Sequence, residues 1–217
     1  MPAPRPRRIS DILPKIQNVA QTSHYFVRFV LPSGDLRGFL RKKGVNSRFI
    51  ADDIGLLCSE AVLPGSALAS VDTRGDYQGV IERFAHTRNF TQINLEFYVD
   101  LDYKVLKFFE HWIEYITGAS SSDAASDTHF FQLKYPNEYK SNDCRIVKFE
   151  RDYNRFLEYR FVGLFPLSLQ STRVAYQGSQ VLKISATFSF DRYICGESSS
   201  LSRDLGRAFN EFFGTGN

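Results

Sequence analysis

The chain has 217 residues, a mass of 24.9 kDa and 43% apolar residues, including 20 Phe, 11 Tyr and one Trp. That suffices to bury the core of one ordinary domain with extensions, and the aromatic load favours β-structure and association. Twenty-seven Lys and Arg against 24 Asp and Glu leave a net charge of +3, too small and too mixed for a dedicated nucleic-acid binder or a disordered tail.

The total hides an asymmetry, because residues 1–50 hold ten basic and two acidic groups, a net +8, and the other 167 carry −5. This basic N-terminal part opens with Ile9, Leu13, Ile16 and Val19, spaced for a short helix that Pro14 strains. A strand follows, with Tyr25, Val27, Phe29 and Leu31 alternating with His24, Phe26, Arg28 and Val30. Its second face is also partly apolar, as expected of a strand covered on both sides. Pro32-Ser33-Gly34-Asp35 then turns the chain into the run Arg37, Arg41, Lys42, Lys43 and Arg48, interspersed with Phe39 and Phe49. With Gly38 and Gly44 inside it, the run reads as a basic surface loop between strands, suited to an acidic protein patch. Contact with nucleic acid, by phosphate neutralisation and base stacking, is the alternative.

Shorter strands are expected at 56–63, 77–85 and 144–150, separated by turns at Pro64-Gly65 and Arg74-Gly75-Asp76. At 92–99, Ile93, Leu95, Phe97 and Val99 form one face against Gln92, Asn94, Glu96 and Tyr98. From Leu101 to Ile116 the steps of three and four between Val105, Phe109, Trp112, Ile113 and Ile116 predict a helix packed across an open sheet face. Asp100 or Asp102 would cap its start and Gly118 its end. Residues 117–128 are small and polar and read as a loop. Leu157, Tyr159 and Phe161 alternate with Phe156, Glu158, Arg160 and Val162 in a strand of the two-sided kind. A half-buried strand at 181–193, after a Gln177-Gly178-Ser179 turn, buries Leu182, Ile184, Ala186, Phe188 and Phe190. The chain then ends in an amphipathic helix carrying Leu201, Leu205, Ala208, Phe209, Phe212 and Phe213.

Catalytic patterns are missing. His24, His86, His111 and His129 are scattered, and the sequence has no HExxH, no phosphate loop and no GxSxG elbow. Glu110, His111 and Glu114 read as a solvated or interface face of the helix, and Asp100 and Asp102 as helix-start residues. Cys58, Cys144 and Cys195 form no paired spacing and are expected to be thiols in a reducing compartment. The basic N-terminus lacks the apolar stretch of a signal peptide and no run approaches a membrane span, so a soluble protein made in a cytoplasm is expected.

The order of elements is itself specific. It runs from an early strand to one ending Ala61-Val62-Leu63-Pro64-Gly65, a hairpin region, and a strand led by Arg88-Asn89-Phe90-Thr91. Then come a helix ending at Gly118, Tyr139-Lys140, a strand entering Gly163-Leu164-Phe165-Pro166, and a last strand closing on Asp191-Arg192-Tyr193. This set resembles the tail-tube proteins of contractile-tailed bacteriophages, in which a Leu-Pro-Gly or Leu-Pro-Ala turn, a Gly-Leu-Trp/Phe-Pro corner and a closing strand follow in that order.

The resemblance implies a mainly β (α+β) fold, a rolled β-sandwich or barrel with one flanking helix, long hairpins and short terminal helices. Residues 1–22 would be an arm, 23–195 the tube-like domain with 34–50 as a basic insertion, and 196–217 a C-terminal extension. It implies a non-enzymatic virion protein without cofactor or metal, assembled as a homohexameric ring of the inner tail tube or its baseplate end. Its partners would be itself, adjacent rings and sheath or baseplate hub proteins, with double-stranded DNA passing through and no membrane contact. The hairpin region Ala67–Val99 would be a principal contributor to the inner barrel, helped by the 144–162 strands, and Leu63, Pro64 and Gly65 would face the adjacent ring or subunit. The polar face of Gln92, Asn94 and Glu96 suits a water-filled lumen, and a mildly acidic body would not retain DNA. Beyond such a core, Arg41, Lys42, Lys43 and Arg48, with Phe209, Phe212 and Phe213, would dock unlike neighbours. A tube of a non-viral contractile injection device and a nucleic-acid-binding β-barrel using residues 37–49 are the alternatives.

Overall fold

The computed structural model describes residues 20–76, 79–118, 132–150, 156–172, 174, 176 and 180–196. The expected N-terminal helix, Phe209, Phe212, Phe213 and the rest of the C-terminal extension lie outside them.

Two four-stranded antiparallel sheets stack into a sandwich that does not close into a barrel. One has the order β1-β6-β7-β10, from Tyr25–Arg28, Cys144–Phe149, Phe156–Val162 and Arg192–Gly196. The other has the order β2-β5-β9-β8, from Cys58–Ala61, Ile93–Tyr98, Lys183–Ser189 and Phe165–Leu169. A third, two-stranded sheet is the hairpin β3 (Ser66–Thr73) and β4 (Glu82–Phe90). Val27, Ile146 and Phe161 of the first sheet meet Leu95, Phe97, Ile184 and Phe188 of the second in one core.

The long helix α3 (Lys104–Thr117) packs into that core through Val105, Phe108, Phe109, Trp112 and Tyr115, the stripe its sequence lays out. Phe29 lies 5.7–6.1 Å from the rings of Phe97, Phe108, Phe109 and Phe188, so the helix and both sheets share one aromatic cluster. Asp100 caps as expected, its carboxylate accepting the Val105 N–H at 3.2 Å, whereas Asp102 pairs with Lys104. Gly118 ends the helix at φ +70°, and a Cβ there would fall 2.2 Å from the Gln132 carbonyl oxygen.

Several expectations are corrected. The basic segment is not a loop: Gly34–Lys42 forms helix α1, and Phe49–Asp53 forms a π-helical turn that runs into the short α2 (Ile54–Leu56). Leu36 and Leu40, four residues apart, are fully buried, and Ser33 Oγ accepts the Leu36 N–H at 3.2 Å as N-cap. Asp35 in the first turn and Arg41 and Lys42 in the last suit the helix dipole. Gly38 lies on the exposed side, and Gly44, at φ +90°, lies beyond the end. Two helices therefore flank the sheets, since α1 packs against α3. The strand expected at 56–63 shortens to Cys58–Ala61, because Leu56 belongs to α2. The one expected at 77–85 begins at Glu82 and runs on to Phe90 as β4, paired across the hairpin tip with β3. The strand expected at 181–193 breaks at Phe190-Asp191, so that β9 and β10 belong to different sheets. In β7 the apolar Leu157 is exposed, as is Arg160, while Glu158 is buried on the face opposite Leu157, beside Arg145.

Candidate assembly interface

The hairpin β3–β4 is the part of the fold that does not bury itself. All eight residues of β3 are exposed, as are the first eight of β4. Cross-strand partners share a face and alternate residues oppose. Pairs Ala67–Asn89, Val71–Phe84 and Thr73–Glu82, with Ala69 between the first two, therefore share one face, which is apolar at Ala67, Ala69, Val71 and Phe84 and polar toward the tip. Pairs Ser66–Phe90, Leu68–Arg88, Ser70–Ala85 and Asp72–Arg83 make the other, and Arg83 Nε lies 3.3 Å from Asp72 Oδ1. The register shift between Leu68 and Ser70 puts one extra residue into β4 around His86-Thr87, which increases the local twist. Leu68, Val71 and Phe84 are 67%, 49% and 55% exposed. An isolated two-stranded hairpin is marginal in water, and each of these strands has an unpaired edge ready to join another chain.

Its base, by contrast, is tied down. Arg88 stacks between Phe90 and Tyr193, with its guanidinium carbon 4.9 and 5.1 Å from the ring centres. The same side chain donates to Ser66 Oγ at 3.1 Å and to the Tyr193 hydroxyl at 3.2 Å. Arg88 was not among the sequence-derived site residues. Its partner Tyr193 is 105 positions away, so only the fold reveals the pair.

The expected Leu63-Pro64-Gly65 turn lies at this base, with Leu63 and Gly65 exposed and Pro64 buried, and the Gly65 carbonyl accepts the Thr91 N–H at 3.4 Å. Gln92 follows on the exposed side. Asn94 and Glu96 lie farther along β5, on the outer face of the second sheet, where Ser185 Oγ donates to Asn94 Oδ1 at 2.8 Å. Thr187 joins the same oxygen at 3.5 Å, and Glu60 pairs in register with Glu96, which has Lys183 at 3.9 Å. The result is a polar, hydroxyl-rich wall with two adjacent carboxylates.

Arg41, Lys42, Lys43 and Arg48 are all exposed, at and beyond the end of α1. Lys43 is already paired, with its Nζ 3.2 Å from Glu114 Oε1, and Glu114 Oε2 is 2.6 Å from His111 Nδ1. The Glu114–His111 face of α3 is thus an intramolecular contact with α1. Arg41, Lys42 and Arg48 have no charged partner among the described residues. Burial pushes the Cys58 thiol up to about 12 and the Cys144 thiol up to about 11, so both stay protonated at neutral pH. Among the described residues, no three or more His, Cys, Asp or Glu side chains are grouped to hold a metal ion.

The fold is thus a sandwich with an exposed hairpin arm and a polar outer wall. The family model for phage tail tube proteins matches residues 20–196, and the chain belongs to that family. Among the solved structures that share the fold are three from contractile injection assemblies. The sheath/tube terminator of the extracellular contractile injection system PVC aligns with 12% identity and TM-score 0.53, over 82% of this chain and 97% of that one. The PVC sheath–tube complex aligns with 13% identity and TM-score 0.51, over 89% and 100%. The anti-feeding prophage baseplate aligns with 10% identity and TM-score 0.52, over 84% and 98%. No curated protein matches in sequence.

Proposed function

We propose that this protein forms a homohexameric ring of the inner tube of a contractile tail, or of the tube's baseplate end, and that the stacked rings conduct DNA during ejection. The hairpin β3–β4 carries this reading, because among the described residues its two faces and outer edges are uncovered beyond the base, and pairing with another chain would stabilise them. In the ring, the Ala67–Ala69–Val71–Phe84 face packs on a neighbouring subunit and the Ser70–Asp72–Arg83 face meets water. The polar wall of Asn94, Glu96, Ser185 and Thr187 lines the channel, where its carboxylates limit DNA retention. The role is mechanical, without catalysis or cofactor.

Leu63 and Gly65 contact the adjacent ring or subunit. Arg41, Lys42 and Arg48 dock acidic patches of sheath or baseplate proteins on the ring's outside, helped by Phe209, Phe212 and Phe213, while Lys43 contributes through its pair with Glu114. Native mass spectrometry and negative-stain microscopy of the purified chain test the reading. Six-copy rings that stack are expected, and a monomer at every concentration and salt overturns it. A particle that carries no DNA would transfer the same ring to a non-viral injection device.

A further inference from the structure

The outer face of the β1-β6-β7-β10 sheet has a register that is costly on its own. Arg28, Arg145 and Arg160 are direct cross-strand partners on β1, β6 and β7, three like charges in one row. Two of them have counter-charges: Arg145 lies 2.8 Å from Asp143 and 3.1 Å from Glu158, and Arg160 lies 3.2 Å from Asp143. Arg28 is exposed and has no anionic partner among the described residues.

Arg28 instead borders a cleft of about 240 Å³ between the end of β1 and the π-helical turn. Arg37, Ser47, Ile50 and Ala51 line its other sides, and the chain from Phe29 to Leu31 forms its floor. Arg37 is anchored there, since its Nη2 donates to the Leu31 carbonyl at 3.2 Å, which leaves the rest of its fork of donors available. The nearby Asp35, Asp52 and Asp53 form no ion pair with either arginine. Arg28, Arg37 and Ser47 therefore line a concavity with an apolar wall at Ile50 and Ala51, and neither arginine has an anionic partner among the described residues.

We propose that this cleft docks an acidic side chain on an extended segment of a neighbouring protein, with Arg28 and Arg37 holding the carboxylate and Ile50 and Ala51 packing an apolar neighbour of it. Planar guanidinium forks match a carboxylate in geometry and charge. A cavity of about 150 Å³ accommodates a benzene ring, so this one has room for a carboxylate and a small apolar group. Nucleic acid fits less well: it needs a track of cations and exposed rings for stacking, whereas the cleft's one aromatic residue, Phe29, is buried. The inference rests on the cleft alone and stands or falls independently of ring formation.

The test uses the full chain and a fluorescein-labelled peptide of alternating Glu and Leu, read by anisotropy at low and moderate salt, with a Lys–Leu peptide as control. Salt-sensitive binding of the acidic peptide is expected. Arg28→Ala and Arg37→Ala should each weaken it by about tenfold, and Lys107→Ala, which removes an exposed charge of the same sign on the long helix, should change it less than about twofold. Thermal melts of each variant establish that the fold is retained, and Arg28→Lys should recover part of the loss. The proposal is overturned by no binding at about 1 mM peptide. An equal loss from Lys107→Ala, full competition by inorganic phosphate, or tighter binding of a DNA duplex at the same arginines would also overturn it.

Discussion

Val71 and Phe84 face each other across the hairpin, each about half exposed in the single subunit, and replacing both with aspartate separates folding from assembly. Fully burying such side chains contributes about 1.5–3 kcal/mol each, so covering their exposed halves on a neighbour contributes about 0.8–1.5 kcal/mol apiece. The double variant loses roughly 1.5–3 kcal/mol at every subunit contact, before the added cost of pressing carboxylates into an apolar seam. A ring multiplies that loss over all its contacts. Within the subunit neither side chain belongs to the core, so monomer stability should move by no more than about 0.5 kcal/mol. Sedimentation velocity then reports loss of rings while circular-dichroism melts of the dissociated chain stay unchanged. A large drop in melting temperature, or rings that persist in Val71→Asp/Phe84→Asp, would refute the reasoning.

Gly163 sits at φ +73°, and a Cβ there would lie 2.2 Å from Asp191 Oδ2, the carboxylate whose other oxygen binds Lys140 at 2.7 Å. Gly163→Ala should therefore cost about 1–3 kcal/mol, read as a lower urea midpoint at unchanged slope. Phe109→Ala opens the aromatic cluster around Phe29, Phe97 and Phe188 and should cost about 3–5 kcal/mol by the same assay. The Cys58 thiol is raised from 9.0 to about 12, which makes the folded state bind its proton more tightly than the unfolded state. Stability from this group is complete below about pH 9 and is lost as pH rises toward 12, so urea midpoints should be level near neutrality and fall above pH 9. Native alkylation at about pH 8 should label Cys195, which is exposed, and spare Cys58 and Cys144.

The parts of the fold legible in the sequence are those whose burial lies within one subunit. Strands β5 and β9 bury one face and leave the other polar, so their period of two is clear, and the stripe of α3 is wide because Phe108, Phe109 and Trp112 all enter the core. The hairpin was visible only as a region. Neither face of β3 is buried in the single chain, so Ser66–Thr73 lacks the alternation that burial imposes. Helix α1 was hidden because it buries only Leu36 and Leu40 among glycines and charges. The burial of Glu158 in β7 depends on Arg145 of the adjacent strand for its counter-charge, a pairing that sequence spacing does not encode. Of the candidate site, the polar face at Asn94 and Glu96 was readable from alternation, whereas the Arg88–Tyr193 tie and the Lys43–Glu114 pair are products of tertiary contact.

A cryo-electron-microscopy reconstruction of the assembled ring tests the central claim most directly. The account predicts six copies in which β3 or β4 extends the sheet of a neighbour, Val71 and Phe84 are covered by it, and Asn94, Glu96, Ser185 and Thr187 face the channel. A ring held together without the hairpin, or with Val71 and Phe84 still in solvent, would contradict it.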